Sequence, residues 1–254
     1  MSGLSYLNTD HGTRIAYHKT DGESTQDRPG IIWCGGFMSD MEGSKALALE
    51  DYAKRTGRAY VRFDYQGHGA SDGAFADGTI GLWQQDAMAV LDQLTSGPQI
   101  LVGSSMGGWI SMLTLKKRAD RIAGFIGIAA APDFTLRHWQ DLTKDQQQDV
   151  LTEGRVLIPS DYGPDPYIFT KALFDDGANN LVMTRPLETD IPVRLIQGTA
   201  DPDVPWQTAL DIADNITGDD VEVILIPDGD HRLSRDLDLK RLVRVVDSLF
   251  HGDK

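Results

Sequence analysis

Apolar and polar residues alternate at the start of the chain and then stop alternating. Leu4 and Tyr6, then Ile15 and Tyr17, stand at alternate positions on either side of Asp10-His11-Gly12, the pattern of a hairpin closed by a glycine turn. Residues 21–29 are polar and read as loop. From there the apolar residues come in short unbroken runs at 30–34, 59–63, 100–102, 122–130, 191–198 and 221–227. Unbroken runs of this length predict strands buried on both faces. Between them apolar residues recur at helical spacing. Leu49, Tyr52 and Ala53 are followed by a stop at Gly57, and Trp83, Ala87, Val90, Leu91 and Leu94 by one at Gly97-Pro98. A third helical pattern runs to about Lys117. Two more carry Ala209, Leu210, Ile212, Ala213 and Ile216, then Leu239, Leu242, Val243, Val246, Leu249 and Phe250. Strands alternating with helices predict an α/β fold with a mostly parallel sheet covered by helices on both faces.

Residues 132–189 break this rhythm. The stretch 140–149 is polar and helical, and Pro159, Pro164 and Pro166 follow among the aromatics Tyr162, Tyr167, Phe169 and Phe174. We expect a helical cap inserted over one edge of the sheet, which divides the chain into core residues 1–131, cap 132–189 and core 190–254. The aromatics form either the cap's own small core or one wall of a substrate pocket.

The bulk numbers narrow the partners. The 254 residues, 41% of them hydrophobic, suffice for one α/β domain. Against 38 acidic residues stand 24 Lys and Arg, a net charge of −14, which argues against nucleic acid or an anionic membrane as partner. The acidity itself suits solubility. The single cysteine, Cys34, excludes an intrachain disulfide and a thiolate metal cluster. It lies in an apolar run with no basic neighbour, which predicts an inert core thiol. No run is long enough to span a membrane, and residues 1–6 lack a basic-then-apolar leader. A cytoplasmic location is expected; a processed organellar form would read the same. No spacing of His, Asp and Glu suggests a metal site, and no cofactor is expected. Oligomeric state is not legible.

The chemistry starts at Gly103-Ser104-Ser105-Met106-Gly107, which fits G-x-S-x-G between a strand and a helix. Such a turn holds its central serine strained and exposed. Ser105 is the candidate nucleophile, and the amide of Met106, opening the helix, is a candidate oxyanion donor. A serine hydroxyl needs a base, and the base needs an acid to orient it. The histidines are His11, His18, His68, His138, His231 and His251. His68 lies in Asp64-Tyr65-Gln66-Gly67-His68-Gly69-Ala70-Ser71, where it reads as a turn histidine facing solvent or bonding backbone. Gly35-Gly36-Phe37 follows the first buried strand, either as an ordinary turn or as a loop whose amides approach a ligand.

The elbow, the glycine loop, the D-x-x-G-x-G-x-S turn and the loops around Asp201 and His231 together resemble the α/β-hydrolase superfamily along nearly the whole chain. That resemblance implies the order serine, acid, histidine, each on a loop after a strand. It selects His231, because His11, His18 and His68 come too early, His138 falls in the cap and His251 in the tail. It favours Asp201, nearer the end of its strand, over Asp203, which is read as capping the following turn. Asp228 and Asp230 flank the histidine too closely and are read as turn formers. It also implies a second oxyanion donor at the backbone of Phe37. Residues 103–109, Val204-Pro205-Trp206, Asp230-His231-Arg232, Phe63-Asp64-Tyr65 and Lys45-Ala46-Leu47-Ala48 further resemble a family of mitochondrial acyl-protein thioesterases and acyl-glucuronide esterases with bacterial relatives. The expectation is a serine hydrolase of esters or thioesters with a small-molecule or acyl-chain substrate. An acyltransferase or perhydrolase on the same three residues is the alternative in the same chemistry, and a weakly catalytic ligand receptor is the alternative from another class.

Overall fold

A computed structural model of the protein describes residues 3–22, 24–25, 28–160 and 163–250. Tyr162 and His251 lie outside the described residues. The opening hairpin is β1 (Ser5–Asn8) and β2 (Arg14–Thr20), paired antiparallel. Then come β3 (Gly30–Cys34), α1 (Ser44–Thr56), β4 (Tyr60–Phe63), α2 (Ile80–Leu94), β5 (Gln99–Ser104), α3 (Met106–Lys117) and β6 (Ile122–Ile128). The final elements are β9 (Val193–Gly198), α7 (Gln207–Asp214), β10 (Val221–Ile226) and α8 (Asp236–Ser248). One eight-stranded sheet has the order β1-β2-β4-β3-β5-β6-β9-β10. All pairs from β4 to β10 are parallel, and β2 meets β4 antiparallel.

The apolar runs became the central strands for the reason their composition suggests. Successive side chains of a strand face opposite ways, and here both faces are packed. Ile31, Trp33, Ile100 and Val102 pack against Leu49, Tyr52, Leu242 and Val246 of α1 and α8. Ile32, Leu101, Phe63 and Phe125 pack on the other side with Trp83, Val90, Trp109 and Ile110 of α2 and α3. β10, at the sheet's edge, leaves Leu225 38% exposed. α1 stops at Gly57, whose φ of +67° is the left-handed helix cap expected of glycine.

Between β6 and β9 the helical expectation is only partly met. The segment contains α4 (Phe134–Asp141), α5 (Lys144–Glu153) and α6 (Lys171–Asn179). It also contains an antiparallel hairpin, β7 (Arg155–Ile158) with β8 (Tyr167–Thr170). The single helix read over 140–149 is broken at Leu142, because Thr143 and Gln146 form a reciprocal capping box that starts α5. The strands, Arg-Val-Leu-Ile and Tyr-Ile-Phe-Thr, do not alternate apolar with polar residues, and the three prolines between them give no short hairpin turn, so the usual signals are missing.

The chain reverses its direction of growth across the sheet at β3. From there it adds β4 on one side and then crosses to add β5 on the other. Cys34 and Gly103, the ends of these adjacent strands, are in register. Ligand crevices form at such a switch point, outside the carboxyl ends of the strands. Close approach makes one residue there irreplaceable: a Cβ on Gly107 would stand 2.0 Å from the Cys34 carbonyl oxygen. Because backbone meets backbone, Gly107→Ala is expected to cost about 3 kcal/mol. The readout is a melting temperature lower by roughly 8 °C. An unchanged melting curve would contradict the packing described.

Candidate active site

A single residue separates β5 from α3. That residue, Ser105, has φ +53° and ψ −119°, a conformation that costs a non-glycine residue on the order of 1–3 kcal/mol. It is held by three backbone bonds. The Ser105 amide donates to Ile128 O at 2.9 Å, and its carbonyl accepts from Gly108 N at 2.9 Å and Ala131 N at 3.1 Å. The sharp turn lifts the hydroxyl above the sheet edge, at the positive end of α3. Met106, as the first helical residue, has an amide with no partner inside the helix.

Two further loops converge on this hydroxyl. His231 follows β10, and its Nε2 lies 3.1 Å from Ser105 Oγ. Its Nδ1 lies 2.9 Å from Oδ2 of Asp201, which follows β9. The Asp201 side chain is fully buried, and that burial works against its charge. The hydrogen bond and charge of His231 and the amides of Val204 and Asp203 outweigh it, so the carboxyl lies below the ordinary carboxylate range. An ionised acid at Nδ1 requires a proton there, which leaves Nε2 to accept from the serine. The arrangement can therefore pass a proton from hydroxyl to imidazole and hold the resulting charge.

Asp203, the rival acid, lies alongside. Its amide donates to Asp201 Oδ1 at 2.8 Å, and its carbonyl accepts from the Arg137 guanidinium. The helix that follows, α7, has Trp206 at its N-cap position. Asp201, Asp203 and His231 each bring a possible metal ligand within 4.8 Å of the others, a convergence their sequence spacing does not reveal. Two of the three already bond each other. Asp230 accepts from Leu233 N at 2.9 Å and Asp228 has φ +55°, so both shape the turn as expected.

Ser105 and His231 open onto a cleft of about 460 Å³. Phe37 lines it, its ring 5.2 Å from Phe169 and 5.6 Å from Phe134 between centroids. The two readings of the later aromatics are both partly right. Tyr167 and Phe169 line the cleft, whereas Phe174 is buried behind, stacked 5.9 Å from Phe169.

A family model described as Hydrolase_4, serine aminopeptidase S33, matches residues 28–166. The chain belongs to this family of α/β-hydrolases. The S33-family chain is 38% identical over 253 residues to the mitochondrial palmitoyl-protein thioesterase ABHD10 of Mus musculus, covering 98% of this chain and 82% of that one. Among solved structures it is similar to a protein from Agrobacterium vitis S4, at 40% identity and a TM-score of 0.93, covering 98% of each chain. It is also similar to α/β-hydrolase domain-containing protein 10 from mouse, at 36% identity and a TM-score of 0.90, again over 98% of each.

Several residues at or behind the cleft of this S33-family α/β-hydrolase escaped the sequence. Gln197, on β9, donates to Asp201 Oδ2 at 2.9 Å. Arg137 and His138 reach the cleft from α4, and Lys45 from α1. Burial and the charge of Arg232 lower Lys45 to about 8, and its ammonium donates to the Arg232 carbonyl beside His231. Lys45 falls in the Lys45-Ala46-Leu47-Ala48 stretch noted above, but no pattern in the sequence assigns it or the others to the site, to which they come from separate elements. Cys34 is buried, and burial pushes its thiol up to about 11, so it is inert as expected. His11 bonds Asp86 at 2.8 Å and His18 lies 3.4 Å from Glu42, both away from the site.

His68 bonds backbone, its Nδ1 3.2 Å from Gln66 O, but it does not face solvent. It is packed edge-on against Tyr65, Phe75 and Trp83. Burial holds its imidazole down at about 4, against an ordinary 6.5. The unfolded chain therefore takes a proton here before the folded one does. Stability is full above pH 6.5 and declines as pH falls from 6.5 toward 4. Thermal melts across that window should show a shallower decline for His68→Phe than for the wild type; parallel curves would refute the linkage. For the acid, Asp201→Asn should lose about 10⁴-fold in kcat, and Asp203→Asn should stay within about threefold. Steady-state kinetics on one ester distinguishes them, and the reverse ranking would move the role to Asp203.

Proposed function

We propose that the chain hydrolyses carboxylic esters and acyl thioesters through an acyl-enzyme, with Ser105 as nucleophile, His231 as base and Asp201 as its orienting acid. The unbroken hydrogen-bonded line from Ser105 Oγ through His231 to Asp201, at 3.1 and 2.9 Å, carries the reading. Ser105 attacks the acyl carbon as its proton passes to His231 Nε2. The backbone amides of Phe37 and Met106 hold the oxyanion, each worth about 3 kcal/mol in the transition state. His231 then protonates the departing alcohol or thiol. Water, deprotonated by the same ring, releases the acid and frees the serine. Nucleophile, base and electrostatic stabilisation all come from the chain, so the reaction calls for no cofactor or metal.

The segment 132–189 serves as a cap over the cleft. Its Phe134, Tyr167 and Phe169, with Phe37, form an aromatic wall suited to an acyl chain. The relatives are named as palmitoyl-protein thioesterases, and we infer acyl thioesters as the preferred class. No described helix is long and apolar enough to cross a membrane. We infer a cytoplasmic site of action; mitochondria, named for the relatives, are the other compartment to test by fractionation.

Ser105→Ala and His231→Ala should each lower kcat by about 10⁴- to 10⁶-fold with unchanged folding. Wild type should show burst kinetics on nitrophenyl esters, rates that vary with acyl length, and stoichiometric labelling by a fluorophosphonate. Ser105→Ala retaining more than about a hundredth of the activity would end the proposal.

A further inference from the structure

The loop from β3 to α1, residues 35–43, carries the Phe37 amide, and three features of it stand out. It comes close to the nucleophile: a Cβ on Gly36 would lie 3.5 Å from Ser105 Cβ. It is strained, with Met38 at φ +53°. And the Gly36 carbonyl is doubly engaged, accepting from Ser39 Oγ at 2.8 Å and Ser39 N at 3.3 Å. The Gly36 carbonyl and the Phe37 N–H belong to one planar trans peptide, so they point in opposite directions. Whatever grips the carbonyl also aims the N–H.

Farther along, the same loop is anchored at Met41 by both of its backbone groups. The Met41 amide donates to Asp64 Oδ1 at 2.7 Å, and its carbonyl accepts from Arg62 Nη1 at 3.1 Å. Both side chains stand at the end of β4 and are buried, as is Met41. Arg62 is itself paired with Glu42 at 2.5 Å and Glu50 at 3.3 Å. Asp64 is fixed by the turn that follows it. Its Oδ2 accepts from Ala70 N at 2.8 Å, and its carbonyl from Ser71 Oγ at 2.6 Å. A Cβ on Gly69, at φ +45°, would lie 2.1 Å from Asp64 Oδ2. The D-x-x-G-x-G-x-S turn thus builds one acceptor position, and that position is spent on Met41.

We propose that Ser39, together with the Asp64–Arg62 anchor on Met41, is a positioning device that fixes the Gly36–Phe37 peptide with its N–H presented to the oxyanion. The proposal rests on Phe37 being an oxyanion donor. Without the Ser39 hydroxyl the carbonyl keeps only the longer amide bond, and the peptide is free to rotate. Without Asp64 the strained loop loses its anchor. Neither change touches the Ser105–His231–Asp201 line.

The test measures nitrophenyl ester hydrolysis beside the inhibition constant of a trifluoromethyl ketone, which forms the tetrahedral oxyanion on an active serine. Ser39 is exposed, so Ser39→Ala tests the device without risk to folding. It should lower kcat about tenfold, leave KM and the pH profile of kcat/KM unchanged, and weaken the ketone by the same factor. Ser39→Thr, which keeps the hydroxyl, should restore both. Asp64→Ala, if folded by circular dichroism, should lose about 10- to 100-fold in kcat with the same matched loss of ketone affinity. Unchanged kcat in Ser39→Ala overturns the proposal. So does a rise in KM at constant kcat, or a kcat loss without loss of ketone affinity. An active Ser105→Ala would instead overturn the function on which it rests, so the two failures are told apart.

Discussion

The site depends on one very short connection at the centre of the sheet. One residue joins β5 to α3, and it must turn the chain so abruptly that its own backbone is strained. Everything nearby exists to hold that turn. β6 supplies the Ile128 carbonyl, and the segment just beyond it the Ala131 amide. Gly107 lets α3 press against the end of β3. Strain of this kind persists only where the surroundings over-determine it, and here the surroundings are the centre of the sheet, packed on both faces. The hydroxyl is therefore fixed by the most rigid part of the structure, while its partners arrive on loops.

Those loops are placed by topology. β3 and β5 adjoin but are not consecutive, so the segments leaving their carboxyl ends diverge and leave a crevice between them. β9 and β10 continue the sheet on the far side of β6 and deliver the carboxylate and the imidazole from one flank, opposite the glycine loop. Ser105 is thus approached from two sides by elements whose order along the sheet, more than any local preference, decides where they end.

This explains what could be read from the chain. The central strands, the elbow and the meeting of Ser105, Asp201 and His231 in one hydrogen-bonded line were legible, because each rests on a local pattern or a fixed order of loops after strands. The hairpin β7–β8 was not, since its strands do not alternate and a proline-rich stretch stands where a hairpin turn would signal it. Nor were Lys45, Arg137 and His138, which reach the cleft from α1 and α4 on faces set by packing alone. His68 shows the same limit from the other side. Its sequence neighbours suggest an open turn, yet Phe75 and Trp83 close over it from further along the chain. Short-range chemistry reads well; company kept across the fold does not.

The contact between Arg137 and the Asp203 carbonyl joins α4 to the segment that carries Asp201. That carbonyl lies two residues beyond the carboxylate, on the same short loop whose amides bind it. A displacement of α4 would therefore either release that carbonyl or move the loop with it. One wall of the cleft and the loop that holds the Asp201 carboxylate are thus tied to each other through a single side chain.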